Sequence, residues 1–209
     1  LQGIPKGIYL RTSRRMATVP AIINEEDIYN SFRVHRFYGT LKRLLIDRFG
    51  VIVDADDNTS RLIDTRRDID DVRKCLERYK NRIILNAEEE RKNYLSYLNS
   101  IFDQNRENFV ITDQGFNGTV HASLEKIMNQ KFTGYYLCAK KESNPYSLVN
   151  IDSFYDYGSG YFYKMTYLFE SVITAPEGTY VKCDQKGKFV NANLKSNQII
   201  FNKKKLIFQ

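Results

Sequence analysis

The chain has no tryptophan and only two histidines, His35 and His121, in 209 residues. Two imidazoles so far apart do not make a histidine-rich metal centre. Cysteine is scarce as well. Cys75, Cys138 and Cys183 are odd in number and widely spaced, with neither a disulfide framework nor the paired spacing of a zinc site. A reducing, cytoplasmic setting is therefore expected. No apolar run approaches membrane-spanning length, and no signal-peptide pattern opens the chain. A G-x-G-x-x-G fingerprint and a Gly-Lys-Ser/Thr Walker loop are both missing, which removes the commonest nucleotide-binding signatures. Internal repeats and low-complexity tracts are lacking too.

What is present suits a packed domain. Hydrophobic residues make up 42% of the chain, enough for a core, and aromatics come as 15 Tyr and 13 Phe. The formal charge is +7, spread along the chain apart from Lys203-Lys204-Lys205. Such an excess favours phosphorylated partners or anionic surfaces, with a simple solvated basic surface as the alternative. No aromatic-basic module for nucleic acid occurs, so no nucleic-acid partner is expected. Leu1 stands where an initiator Met would, and Gln198 to Gln209 still alternates as structure. A piece of a longer protein is the expectation.

The stretch with the most chemistry is Phe109 to Leu124, FVITDQGFNGTVHASL. Phe109-Val110-Ile111 reads as a buried strand with Asp113 at its carboxyl end. Gln114 to Thr119 form a glycine-punctuated turn, and Val120, Leu124, Ile127 and Met128 follow at helical spacing. Strand, turn and helix start in this order make an anion-binding device, because free N–H groups and the helix dipole meet there. Gly115 and Gly118 permit close backbone approach. The alternative is a connection that binds nothing.

The rest of the chain reads in order. Gly7 to Thr12 is a strand leading to Ser13-Arg14-Arg15, where two arginines suit a phosphate or carboxylate, or else pair with nearby acids. Glu25 to Arg33 and Thr40 to Arg48 are helices, the second closed by Gly50. Val51 to Leu62, with Asp54-Ala55-Asp56-Asp57, offers three readings. One is a divalent-metal motif of a glycosyltransferase, a second is the nucleophile motif of HAD-type phosphatases, with Asn58 where that motif has Thr or Val, and the third is an acidic turn that caps a helix. Thr65 to Tyr79 and Ala87 to Phe102 are helices, and Phe132 to Ala139 is a strand parallel to the first. Lys140 to Gly160 reads as a Tyr- and Ser-rich loop, Tyr163 to Ile173 as a helix ended by Ala175-Pro176-Glu177-Gly178. Tyr180 to Cys183 and Lys188 to Val190 flank a hairpin turn. The expected architecture is α/β: a Rossmann-like, mostly parallel sheet flanked by helices, in residues 1–179 with a helical insertion at about 24–102. Residues 180–209 form a truncated β-hairpin extension.

Several of these pieces, in this order, resemble the carboxyl-terminal region of HAD-like hydrolase and glycosyltransferase-associated proteins of bacterial surface-polysaccharide gene clusters. The resemblance is carried by YLRTSRRMATVPAI (Tyr9 to Ile22), by Asp113-Gln114-Gly115-Phe116-Asn117-Gly118-Thr119, by Gly134 to Leu137, and by Phe169 to Gly178. Phe116 stands where that family usually has Trp, and no stretch matches the family's amino-terminal HAD nucleophile. The resemblance implies a cytoplasmic protein of polysaccharide biosynthesis that binds a sugar phosphate or nucleotide-sugar. The residues it points to are Arg14, Arg15, Gly115, Asn117, Gly118 and Thr119 for ligand binding, and Asp113, Glu170 and Glu177 for acid–base work. Structural alternatives stand beside them: Asp113 capping its turn, Glu170 pairing with Arg14 or Arg15, Glu177 ordering the turn after Pro176. Two other functions remain open, a non-catalytic docking module for a glycosyltransferase and a metal-dependent glycosyltransferase using Asp54 and Asp56. Only the last calls for a divalent metal; no other cofactor is indicated.

Overall fold

A computed structural model describes residues 7–33, 36–54, 56–102, 109–140, 149–158, 165, 168 and 179–191. Polar caps set the first helices. Ser13 accepts the Met16 N–H at 3.1 Å and opens α1 (Arg14–Thr18). α2 (Glu25–Arg33) begins with Glu25, Glu26 and Asp27, where the helix dipole favours negative charge. β1 (Tyr38–Thr40) leads into α3 (Leu41–Phe49), which Thr40 caps and Gly50 ends in the left-handed conformation at φ 66°. α4 (Asp57–Ser60) is a single turn, and β2 (Leu62–Asp64) returns antiparallel to β1. α5 (Ile69–Glu77) and the first half of α6 (Lys80–Ile101) complete this part. Leu41, Leu44, Leu45 and Phe49 form one stripe of α3, and they join Ile28, Ile63, Val72, Leu76 and Ile83 in a first core.

A second core lies around the far half of α6. Tyr94 and Leu98 meet Met16 of α1, Leu124 and Ile127 of α7 (Thr119–Met128), and Phe132. The sheet behind it has three strands, β3 (Phe109–Asp113), β4 (Phe132–Ala139) and β5 (Asn150–Asp156), in that order and all parallel. α7 connects β3 to β4, the strand–helix–strand unit expected from the sequence. β6 (Tyr180–Cys183) and β7 (Phe189–Asn191) are antiparallel around Asp184 to Gly187. Asp184 accepts the Lys186 and Lys188 N–H groups at 2.9 and 2.8 Å and holds that turn. Tyr180 and Cys183 of the hairpin pack into the second core.

A mixed α/β architecture with a parallel sheet, flanking helices and a late hairpin is thus observed. Three expectations change. Gly7 to Thr12 is not a strand; its backbone finds no sheet, and the Arg11 N–H donates instead to the Tyr97 hydroxyl at 2.9 Å. Lys140 to Gly160 is not all loop, because it contains β5, whose polar alternation hides a strand. α6 begins at Lys80, well before Ala87. Met165 and Leu168 are helical, but the rest of the helix expected at Tyr163 to Ile173 lies outside the described residues, as do Ala175 to Gly178 and most of the tail after Asn191.

The sheet is two-faced. Register places Ile111, Gly134 and Ile151 side by side, and beyond them Asp113, Tyr136 and Ser153, on the face that α7 covers. The opposite face carries Val110, Tyr135 and Phe154, all exposed. Parallel sheets are more often covered on both faces.

Candidate site at the carboxyl edge of the sheet

The turn after β3 lies along β4. The Cys138 N–H donates to the Gln114 carbonyl at 3.2 Å, and the Lys140 N–H donates to the Phe116 carbonyl at 3.0 Å. The Gly115 N–H reaches the Asp113 carboxylate at 3.4 Å. Gly115 is required here: its φ is 137°, and a β-carbon would fall 2.2 Å from the Cys138 carbonyl oxygen. Gly118, at φ 64°, is the N-cap of α7 and offers no side chain to the first N–H groups of that helix. Its open side is not empty, since a β-carbon would meet Ile151 at 2.7 Å and Val149 at 3.1 Å.

The polar content of the site comes from three adjacent strands. Asp113, Tyr136 and Ser153 are direct cross-strand neighbours and form one row at the carboxyl edge. Tyr136 is 1% exposed, and its hydroxyl oxygen has no hydrogen-bond partner among the described residues. The same is true of Ser153 Oγ and of Gln114 Oε1 in the turn. Buried hydroxyls and amides are nearly always paired, so three orphans in one corner are a departure. The Tyr136 hydroxyl lies 3.8 Å from the position of a Gly118 β-carbon, at the start of α7. Its pKa is raised, by burial first and by the Asp113 charge second.

Behind this row sits His121, fully buried on α7. Gly134 makes room for it: a β-carbon there would lie 2.9 Å from His121 Nδ1. Among the described residues neither ring nitrogen has a hydrogen-bond partner, and Nε2 is 3.4 Å from Glu125 Oε1. Glu125 is engaged elsewhere, accepting the Phe132 N–H at 2.9 Å and Lys131 Nζ at 2.7 Å. Burial lowers the His121 pKa, and the Glu125 charge opposes this.

The residues expected from the sequence do not all converge. Asp113, Gly115, Asn117, Gly118 and Thr119 share the turn and helix start; Asp113 and Asn117 each have further partners. Arg15 does not join them. Both its Nη atoms bind Glu90 at 2.8 Å, and Nη1 also donates to the Val181 carbonyl. Of the two readings the sequence offered for Arg15, the structure shows the pairing with an acid. Arg14 is exposed at the start of α1, and the charge it bears on is Arg48. Glu170 and Glu177 lie outside the described residues.

The acidic turn is explained as a cap. Asp56 Oδ1 accepts the Thr59 N–H at 2.6 Å, and the Asp56 N–H donates to Thr59 Oγ1 at 2.9 Å, a reciprocal capping box. The Asp56 carboxyl is held below its ordinary pKa, first by the Thr59 N–H. Among the described residues no group of three or more His, Cys, Asp or Glu has the geometry to hold a metal ion. No helix among them is long and apolar enough to cross a membrane.

The turn is legible in the sequence and the row is not. Tyr136 was legible only as part of a strand, and Ser153 fell in an expected loop. Compared with known proteins, the chain matches no family model and no curated protein.

Proposed function

We propose that this chain is a domain of a cytoplasmic polysaccharide-biosynthesis protein that binds a sugar phosphate or nucleotide-sugar at the carboxyl edge of its parallel sheet. The observation that carries the reading is the set of unpaired buried groups, Gln114 Oε1, Tyr136 Oη and Ser153 Oγ, beside Asp113 and the uncapped start of α7. Open α/β sheets bind ligands at this edge. The chemistry fits a polyol: hydroxyls and an amide oxygen exchange hydrogen bonds with sugar hydroxyls, and a carboxylate accepts from them. The helix-start N–H groups favour a phosphate. The sequence resemblance supports the substrate class; the geometry supports binding and names no reaction.

Calorimetric titration of glucose 1-phosphate and UDP-glucose against wild type, Tyr136→Phe, Ser153→Ala and Asp113→Asn tests it. The expected result is at least one ligand bound by wild type and weakened about tenfold by each change, the worth of one good polar contact. Equal affinity in all four proteins would remove the reading.

One observation favours a second reading, a docking module for a glycosyltransferase. Val110, Tyr135 and Phe154 run diagonally across the open sheet face and are all exposed. Tyr135→Glu combined with Phe154→Glu should abolish co-elution with such an enzyme and leave sugar-phosphate titrations unchanged.

A further inference from the structure

A phosphate at the carboxyl edge of the sheet needs a cation. A phosphate monoester brings about two negative charges near neutral pH, and the Asp113 carboxylate stands at the same edge. The start of α7 supplies the equivalent of roughly half a positive charge. Arg15 is not at hand, since Glu90 and the Val181 carbonyl hold it.

Lys140, the first residue after β4, is placed at this edge. Its N–H donates to the Phe116 carbonyl at 3.0 Å, which lays it against the turn leading into α7. On its other side the Tyr157 N–H donates to the Ala139 carbonyl at 2.9 Å, so the end of β5 brings Tyr157 alongside. Two side-chain contacts follow. Phe116 and Tyr157 meet edge to face with ring centres 5.1 Å apart, and Lys140 Nζ lies over the Tyr157 ring, 6.0 Å from its centre. The ends of all three parallel strands thus contribute one residue each to a single corner. Two residues beyond Phe116, Gly118 opens α7, where the unpartnered and buried Tyr136 hydroxyl is 3.8 Å from its β-carbon position. Lysines of the same strand–helix–strand unit are otherwise committed: Asp27 holds Lys126, and Glu125 holds Lys131. Lys140 is exposed, and among the described residues no carboxylate pairs with its ammonium.

We propose that Lys140 is the phosphate-binding cation of the sheet-edge site and that Tyr157 is the positioning residue that holds its ammonium there. The inference rests on the sheet-edge reading and adds the charge which that reading needs. A lysine ammonium is a compact charge with three donors on a flexible stem, suited to a phosphate arriving from solvent. At an exposed site the ring face attracts it weakly, enough to restrict its swing and too little to compete with a phosphate.

Glucose 1-phosphate is the probe, followed by calorimetry at low and high salt. Lys140→Gln should weaken binding about tenfold at low salt, one charge-assisted contact, and the gap should narrow as salt screens the charge. Lys140→Arg keeps the charge and should retain most of the affinity. Tyr157→Phe keeps the ring and should bind as wild type does. Tyr157→Leu should weaken binding when Lys140 is present and add nothing in the Lys140→Gln background. Equal losses from Tyr157→Leu in both backgrounds would overturn the positioning role. If Tyr136→Phe weakens binding and Lys140→Gln does not, the sheet-edge site stands and Lys140 is not its cation. A wild type that binds neither glucose 1-phosphate nor UDP-glucose would remove the site and its cation together.

Discussion

Arg15 and Glu90, separated by 75 residues, meet in a bidentate pair with both contacts at 2.8 Å. The pair ties α1 to the middle of α6. Its side chains are 15% and 6% exposed, so each charge depends on the other for its polar environment. Glu90→Ala should destabilise the protein by about 3 kcal/mol, the usual cost of stranding a buried charge. Chemical denaturation checks this, and a loss under about 1 kcal/mol would show the pair to behave as a surface bridge.

Tyr136 carries a hydroxyl that no group among the described residues satisfies. Removing such a group relieves its desolvation cost, so Tyr136→Phe should stabilise the ligand-free protein by about 1 kcal/mol. A fall in stability would show that the hydroxyl has a partner and would weaken the sheet-edge site as a binding site.

His121 gives the fold an acid-side weakness. Burial depresses its pKa below the ordinary value near 6.5, so the unfolded chain binds the proton more readily. Its share of stability is fully present above about pH 6.5 and is lost as pH falls through that value toward the lower folded pKa. His121→Gln should flatten the pH dependence of Tm below about pH 6.5. An unchanged slope would place the titration elsewhere.

Asp64 acts at lower pH and has the opposite cause. The Arg36 guanidinium, with the Arg66 N–H, holds its carboxyl down at about 2. A depressed carboxyl contributes stability above its unfolded value, lost as pH drops toward the folded one. Asp64→Asn should therefore lower Tm at neutral pH and lessen the loss between about pH 4 and pH 2. Parallel melting curves for the two proteins across that window would contradict the assignment.

The Asp56–Thr59 capping box accounts for the acidic turn without a metal. Asp56→Ala should lower Tm measurably, because the Thr59 N–H loses its cap. Manganese titration of wild type and variant should give the same result; a wild-type signal that vanishes in the variant would restore the metal reading.

Local patterns made much of this fold readable in the one-dimensional chain. The stripe of Leu41, Leu44, Leu45 and Phe49, the Gly50 stop, the β3–turn–α7–β4 unit and the Asp184 to Gly187 hairpin depend on neighbours a few residues apart. Periodicity, caps and glycine conformations record such neighbours directly. The turn at Asp113 to Thr119 was legible for the same reason.

Tertiary structure decided which side chains meet. Nothing near Arg15 in the chain announces Glu90, and Ser13-Arg14-Arg15 reads equally well as a ligand clamp. Gly7 to Thr12 has the composition of a strand but meets α6 instead, through the Arg11 N–H and the Tyr97 hydroxyl, and β5 is a strand because it pairs with β4. The row of Asp113, Tyr136 and Ser153 exists through strand register alone, since three residues on three strands become neighbours only when the sheet forms. Composition and local spacing thus fixed the elements and their caps; long-range pairing fixed the partners of the charges and the place where polar groups are left without one.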